Sequence, residues 1–167
     1  MRDASLPGIL AGAVILFFAG MGCASGTSEE STGLREGGGA AYDSLLAVEL
    51  GADEYGMRTY VMALLSAGPN QDQDSIEAAA LQRGHMDNIS RMAEDGQLLV
   101  AGPFIDGGPL RGVYVFDVET VEEARALTET DPAVRAGRLE MELHPWYGPA
   151  ALMQVKDINE RITRMAP

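Results

Sequence analysis

The chain has 167 residues, enough for one domain of ordinary size with segments to spare. It carries 25 Asp and Glu against 12 Lys and Arg, a net charge of −13, which repels phosphate backbones and argues against a nucleic-acid partner. Cys23 is the sole cysteine, so neither an intrachain disulfide nor a cysteine-based metal site is available. Lys156 is the sole lysine. A GC-rich genome and a salt-adapted host both account for an acidic, lysine-poor chain.

The first 22 residues read as a signal peptide. Arg2 supplies one positive charge, and residues 6–21 (LPGILAGAVILFFAGM) run apolar or small. That run is too short and Gly-rich for a membrane span and matches the apolar region of a secretory leader. Gly20 and Gly22 lead into Cys23, which resembles a lipobox, with the thiol accepting diacylglycerol and the new N-terminus acylated. Gly20 stands where an aliphatic residue is usual, and ordinary secretion or an uncleaved anchor are the rival readings. Several acyl chains would tether the mature protein stably to the cell envelope. Ala24 in place of aspartate points toward the outer membrane in a diderm cell. Residues 23–55 begin ASGTSEESTGLREGGG after the cysteine, a composition that buries too little apolar surface to fold alone and reads as a flexible tether. Residues 42–50 are apolar enough for a short helix or strand against the domain.

A folded domain is expected over residues 56–149. Residues 57–65 (MRTYVMALL) read as a strand. Asp74 and Glu77 form a capping-box pattern ahead of a helix over 75–93. Ile76, Ala79, Met86, Ile89 and Met92 recur at helical spacing in it, Gly84 interrupts it, and Asp95-Gly96 ends it. Residues 98–101 are a short strand stopped by Gly102 and Pro103. A Gly/Pro loop leads to a strand over 112–118. Thr120 and Glu123 cap a helix over 121–129, which Asp131-Pro132 breaks. Residues 139–144 alternate as a fourth strand. The order is βαββαβ, an α+β, ferredoxin-like pattern. Residues 150–167 form a C-terminal tail with helical spacing at its end.

The strands are apolar on both faces. Val61 and Ala63 oppose Tyr60, Met62 and Leu64, and Val113 and Val115 oppose Tyr114 and Phe116. Two helices cover one face, so the other needs a second cover. Sheet-to-sheet homodimerisation is one answer, and a tail folded back over the face is the other.

Three segments carry a family resemblance: GHMDNI (84–89), DGQLLVAGPF (95–104) and DPAVRAG (131–137). In this order and spacing they resemble the YciI-like (YCII-related) family over about residues 57–147. The resemblance implies a ferredoxin-like subunit pairing through its sheet into a dimeric α+β barrel. It also implies a site built from the helix histidine and the aspartate before proline, here His85 and Asp131. Some members resemble a dehydrochlorinase of hydroxylated chloroaromatics, and the wider superfamily includes muconolactone isomerases. Fold transfers across such a family better than chemistry does.

His85 suits general acid–base work because imidazole titrates near neutral pH, and a carboxylate beside it would orient the ring and stabilise the imidazolium. The plain alternatives are a core-edge histidine and an Asp-Pro helix stop. Gly102, Pro103 and Phe104 are expected at a pocket mouth, or in a tight turn. Arg111 could bind an acidic ligand or stay solvated. His144, in HPWYG (144–148), could with His85 and Asp131 form a two-histidine, one-carboxylate set. Nothing in the spacing requires it, and no metal or cofactor is expected. No phosphate loop, nucleophile elbow or nucleotide fingerprint occurs. Two functions remain: a lyase or isomerase moving protons on a small organic molecule through His85 and Asp131, or a non-catalytic binding or structural module of the cell envelope.

Overall fold

A computed structural model describes residues 41–165. The expected signal peptide, Cys23 and most of the expected tether lie outside the described residues. The elements run α1 (Ser44–Glu49), β1 (Met57–Ala67), α2 (Ser75–Glu94), β2 (Leu98–Pro103), β3 (Leu110–Phe116), α3 (Val121–Thr128), α4 (Pro132–Arg135), β4 (Leu139–Pro149), a 3-10 turn (Ala150–Gln154) and α5 (Val155–Ile162). The four strands form one antiparallel sheet in the order β2-β3-β1-β4. Helices and sheet together make the α+β, ferredoxin-like arrangement expected from the element order.

Local chemistry explains most boundaries. Asp74 accepts from the Ile76 and Glu77 amides and starts α2. The reciprocal bond from Glu77 is not formed, so Asp74 caps alone. Thr120 and Glu123 do complete a reciprocal box at α3. All four strands differ from the expected bounds, β1 running on two residues through Ala67. β2 runs on through Gly102 and Pro103, because β2 is an edge strand and a missing N–H costs little there. β3 begins and ends two residues earlier than its apolar run suggests. β4 extends five residues past His144, through Pro145, because it is the other edge and pairs with all of β1. The end of the expected tether is also folded. Asp43 caps α1, Arg58 donates to the Leu50 carbonyl, and Asp53 accepts from the Tyr55 and Met57 amides and the Tyr147 hydroxyl.

Register places Val61 opposite Phe116 and Ala63 opposite Tyr114. These side chains, with Leu65, Leu98, Met92 and Ala124, form the core between sheet and helices. Complete burial of a ring such as Phe116 contributes roughly 1.5–3 kcal/mol. The stripe that α2 buries is rotated from the expected one. Ile76 is 79% exposed, whereas His85 and Asn88 are buried beside Met92. The second sheet face carries Tyr60, Met62, Leu64, Val113 and Val115. The 3-10 turn packs on β1 and β2, and α5 packs on β2. Tyr60 and Val115 are buried, and Met62, Leu64 and Val113 remain half-buried.

Candidate functional site

Helix α2 carries a glycine in its middle, which costs about 1 kcal/mol relative to alanine. The packing accounts for it. A Cβ on Gly84 would sit 2.9 Å from Pro132 Cγ. Glycine therefore lets α2 press against the start of α4, and the neighbouring residues meet as a result. His85 Nδ1 lies 2.5 Å from Asp131 Oδ2. The carboxylate is 0% exposed, and its other oxygen accepts from the Ala133 amide as the α4 cap. Asn88 fastens the segment just before it, accepting through Oδ1 from Thr130 Oγ1 and Arg91 Nη2, both at 2.9 Å.

A buried carboxylate offers only acceptors, so the proton between the two groups sits on Nδ1. In the neutral ring Nε2 is then the acceptor. It faces the Tyr114 hydroxyl on β3 at 3.3 Å. Burial, and then the negative charge of Asp131, push the Tyr114 hydroxyl above its ordinary range. It stays protonated and donates. Its ring stacks near His85 at 6.3 Å between centroids and meets Phe116 edge-on at 5.7 Å.

His85 and Tyr114 open onto a cleft of about 700 Å³ between α2 and the β1–β3–β2 end of the sheet. Its apolar lining includes Leu65, Met86, Ile89 and Leu139, and its polar lining includes Gln71, Gln82, Arg111 and Arg138. Gly102 and Pro103 line it as expected of a pocket mouth. Phe104 does not. Its amide pairs with the Arg111 carbonyl and its ring is 42% exposed, because the chain leaves β2 there. His144 lies opposite Met62 on the second sheet face, away from His85, and its nearest acid is Glu142 at 3.3 Å. The two histidines and Asp131 therefore do not converge, and no group of three or more His, Cys, Asp or Glu able to hold a metal occurs among the described residues.

A family model for the YCII-related domain matches residues 60–147, more than half of the chain. The chain belongs to the YCII-related domain family. It is also similar to the uncharacterized protein YjpA of Bacillus subtilis (strain 168), with 32% identity over 63 residues covering 38% of this chain and 72% of that one. His85, Asp131, Tyr114 and the cleft all fall inside the YCII-related stretch, and Cys23 falls outside it. Sequence reading paired His85 with Asp131 through the family motifs. It passed over Tyr114, Arg138 and Gln82. For Tyr114 a signal existed: a buried tyrosine in an apolar strand needs a partner for its hydroxyl.

Proposed function

We propose that this YCII-related domain is a lyase or isomerase that moves a proton on a small organic molecule, with His85 as base and Asp131 as its orienting partner. One observation carries the reading: a buried carboxylate holds Nδ1 at 2.5 Å while Nε2 stays available at a 700 Å³ cleft. A substrate in the cleft displaces the weak Tyr114 contact and presents an acidic C–H or O–H to Nε2. His85 takes the proton, and Asp131 stabilises the imidazolium. Tyr114, fixed as a donor, hydrogen-bonds the oxyanion that develops on the substrate. Loss of a leaving group completes a lyase reaction. Return of the proton at another carbon completes an isomerisation.

The test is solvent-deuterium incorporation across a panel of hydroxylated haloaromatics, unsaturated lactones and unsaturated acids. An active compound should exchange, and His85→Gln should slow it by roughly 10²–10⁴-fold. Asp131→Asn should keep the fold but turn the tautomer over, since an amide N–H donates to Nδ1 and leaves the proton on Nε2. Imidazole ¹⁵N shifts would read that directly. No exchange by any compound, with wild-type protein already protonated on Nε2, would leave the binding-module reading in place.

We also propose that the mature chain is anchored to the envelope through lipidated Cys23. The apolar run ending in Gly-Met-Gly-Cys supports this. Cys23→Ser should accumulate unprocessed precursor, and unchanged processing and membrane fractionation would refute it. A homodimer through the second sheet face is proposed as well, supported by the half-buried Met62, Leu64 and Val113. Sedimentation should give a dimer at micromolar concentration. A monomer would assign that face to the C-terminal tail alone.

A further inference from the structure

The cleft beside His85 runs against the charge of the chain around it. The protein carries a net −13, yet among the described residues no Asp or Glu lines this cleft, while Arg111 and Arg138 both do. Each arginine reaches the cleft by a specific local device. Arg111 sits at a bulge: Leu65 pairs with Gly112 and Ser66 with Leu110, which leaves Arg111 as the extra residue. Strict alternation from Tyr114 would send Arg111 to the second face of the sheet. The bulge breaks that alternation at a residue that lines the cleft, a common arrangement beside binding sites. Next to it, a Cβ on Gly112 would come within 2.9 Å of the Gly102 carbonyl, so glycine is needed where β3 closes on the edge strand β2.

Arg138 enters from the other side, just before β4. Gly137 precedes it at φ 68°, a left-handed turn that favours glycine. Arg138 Nη1 donates to Gln73 Oε1 at 2.8 Å, and Gln71 Nε2 donates to the Arg138 carbonyl at the same distance. The guanidinium is held by a neutral acceptor, which spends none of its charge. Neither Arg111 nor Arg138 forms an ion pair among the described residues.

We infer that the cleft takes a small organic carboxylate, anchored by Arg111 and Arg138, with its carbon skeleton over Leu65, Met86, Ile89 and Leu139 and its reacting atom at His85 Nε2. Guanidinium groups match carboxylates in geometry and hold them through paired, charge-assisted hydrogen bonds. A concave, largely apolar wall strengthens that attraction. The inference deepens the proton-transfer reading and rests on it for the placement of the reacting atom. The apolar lining favours an organic acid over an inorganic anion.

The test uses the full-length protein with benzoate, 4-hydroxybenzoate and crotonate as probes, benzamide as a neutral isostere and inorganic phosphate as a control. Binding is followed through the His85 imidazole resonances. A saturable carboxylate response is expected, with benzamide at least tenfold weaker than benzoate. Arg111→Gln and Arg138→Gln should each weaken benzoate by roughly tenfold to a hundredfold, the range of a charged hydrogen bond. Arg111 is exposed and makes no side-chain bond among the described residues, so R111Q tests the site with little risk to the fold. Equal binding of benzamide, benzoate affinity unchanged in R111Q, no response to any carboxylate, or tighter binding of phosphate would each overturn the inference. Arg-dependent benzoate binding without deuterium exchange on any compound would retain the anion site and sink proton transfer. Exchange on carboxylate compounds at full rate in R111Q would do the reverse.

Discussion

His85 meets Asp131 at 2.5 Å, with the ring nearly covered and the carboxylate fully so, whereas His144 meets Glu142 at 3.3 Å with side chains 46% and 74% exposed. The residue types are nearly the same. The first pair lies where α2 and the α3–α4 corner are pressed together, and each partner is held by further bonds. The second lies along the edge strand β4, where water competes for both groups. Burial turns the same chemical pair from a solvated contact into a fixed element of structure, because an unmet partner in the interior cannot be rescued by solvent.

Removing either partner of the inner pair should give the largest effects. His85→Ala strands a fully buried carboxylate and should cost about 3–5 kcal/mol in chemical denaturation. Asp131→Ala leaves a neutral imidazole and an uncapped α4, costing about 2–4 kcal/mol. A loss from H85A no larger than that from D131A would mean the carboxylate is not the group at risk.

The next test acts on the interlock that creates the pair. Gly84→Ala gains about 1 kcal/mol of helix propensity but forces a Cβ against Pro132, at an overpacking cost of about 1–3 kcal/mol. A net loss of up to about 2 kcal/mol is expected, together with shifted His85 imidazole signals. A stabilised variant with unchanged signals would show that α2 does not need the close approach.

Alkaline titration sharpens the comparison from the side of Tyr114. Its hydroxyl is held above the ordinary value by burial and by Asp131. Below pH about 10 both folded and unfolded chains keep the proton, and the contribution to stability is intact. Above it the unfolded chain releases a proton that the folded chain retains, so stability falls as pH rises through the folded value. Tyr114→Phe should flatten that decline by up to about 1.4 kcal/mol per pH unit. Tyr60 and Tyr147 are raised as well and keep part of the slope. An identical slope in Y114F would contradict the buried-donor role. The smallest effect belongs to the outer pair: His144→Ala should change stability by less than about 0.5 kcal/mol. A loss above 1 kcal/mol would mean that β4 is covered in the assembled protein.

Much of the fold was legible in the residues themselves. The caps at Asp74, Asp95 and Thr120 and the βαββαβ order depend on residues close together in sequence, whose physics is local. His85 and Asp131 were legible as a pair only through the family motifs, since 46 positions separate them. Gly84 read as a weakness of α2, because the proline that needs its missing side chain is far along the chain. Arg111 was open to either reading, as nothing in LRGVYVF marks the bulge. Phe104 was misplaced for the same reason: where a strand stops depends on its neighbour.

The amino-acid sequence by itself determined the element order, the helix starts and the apolar character of both sheet faces, since periodicity and capping act within a few residues. Tertiary structure alone decided the full length of β4, the rotation of the buried stripe on α2, the packing of the tail on β1 and β2, and the meeting of His85, Asp131 and Tyr114 at one cleft. Those features come from close packing between segments distant in the chain. There the shape of one partner, a missing Cβ or a bulged residue, sets where the other can lie.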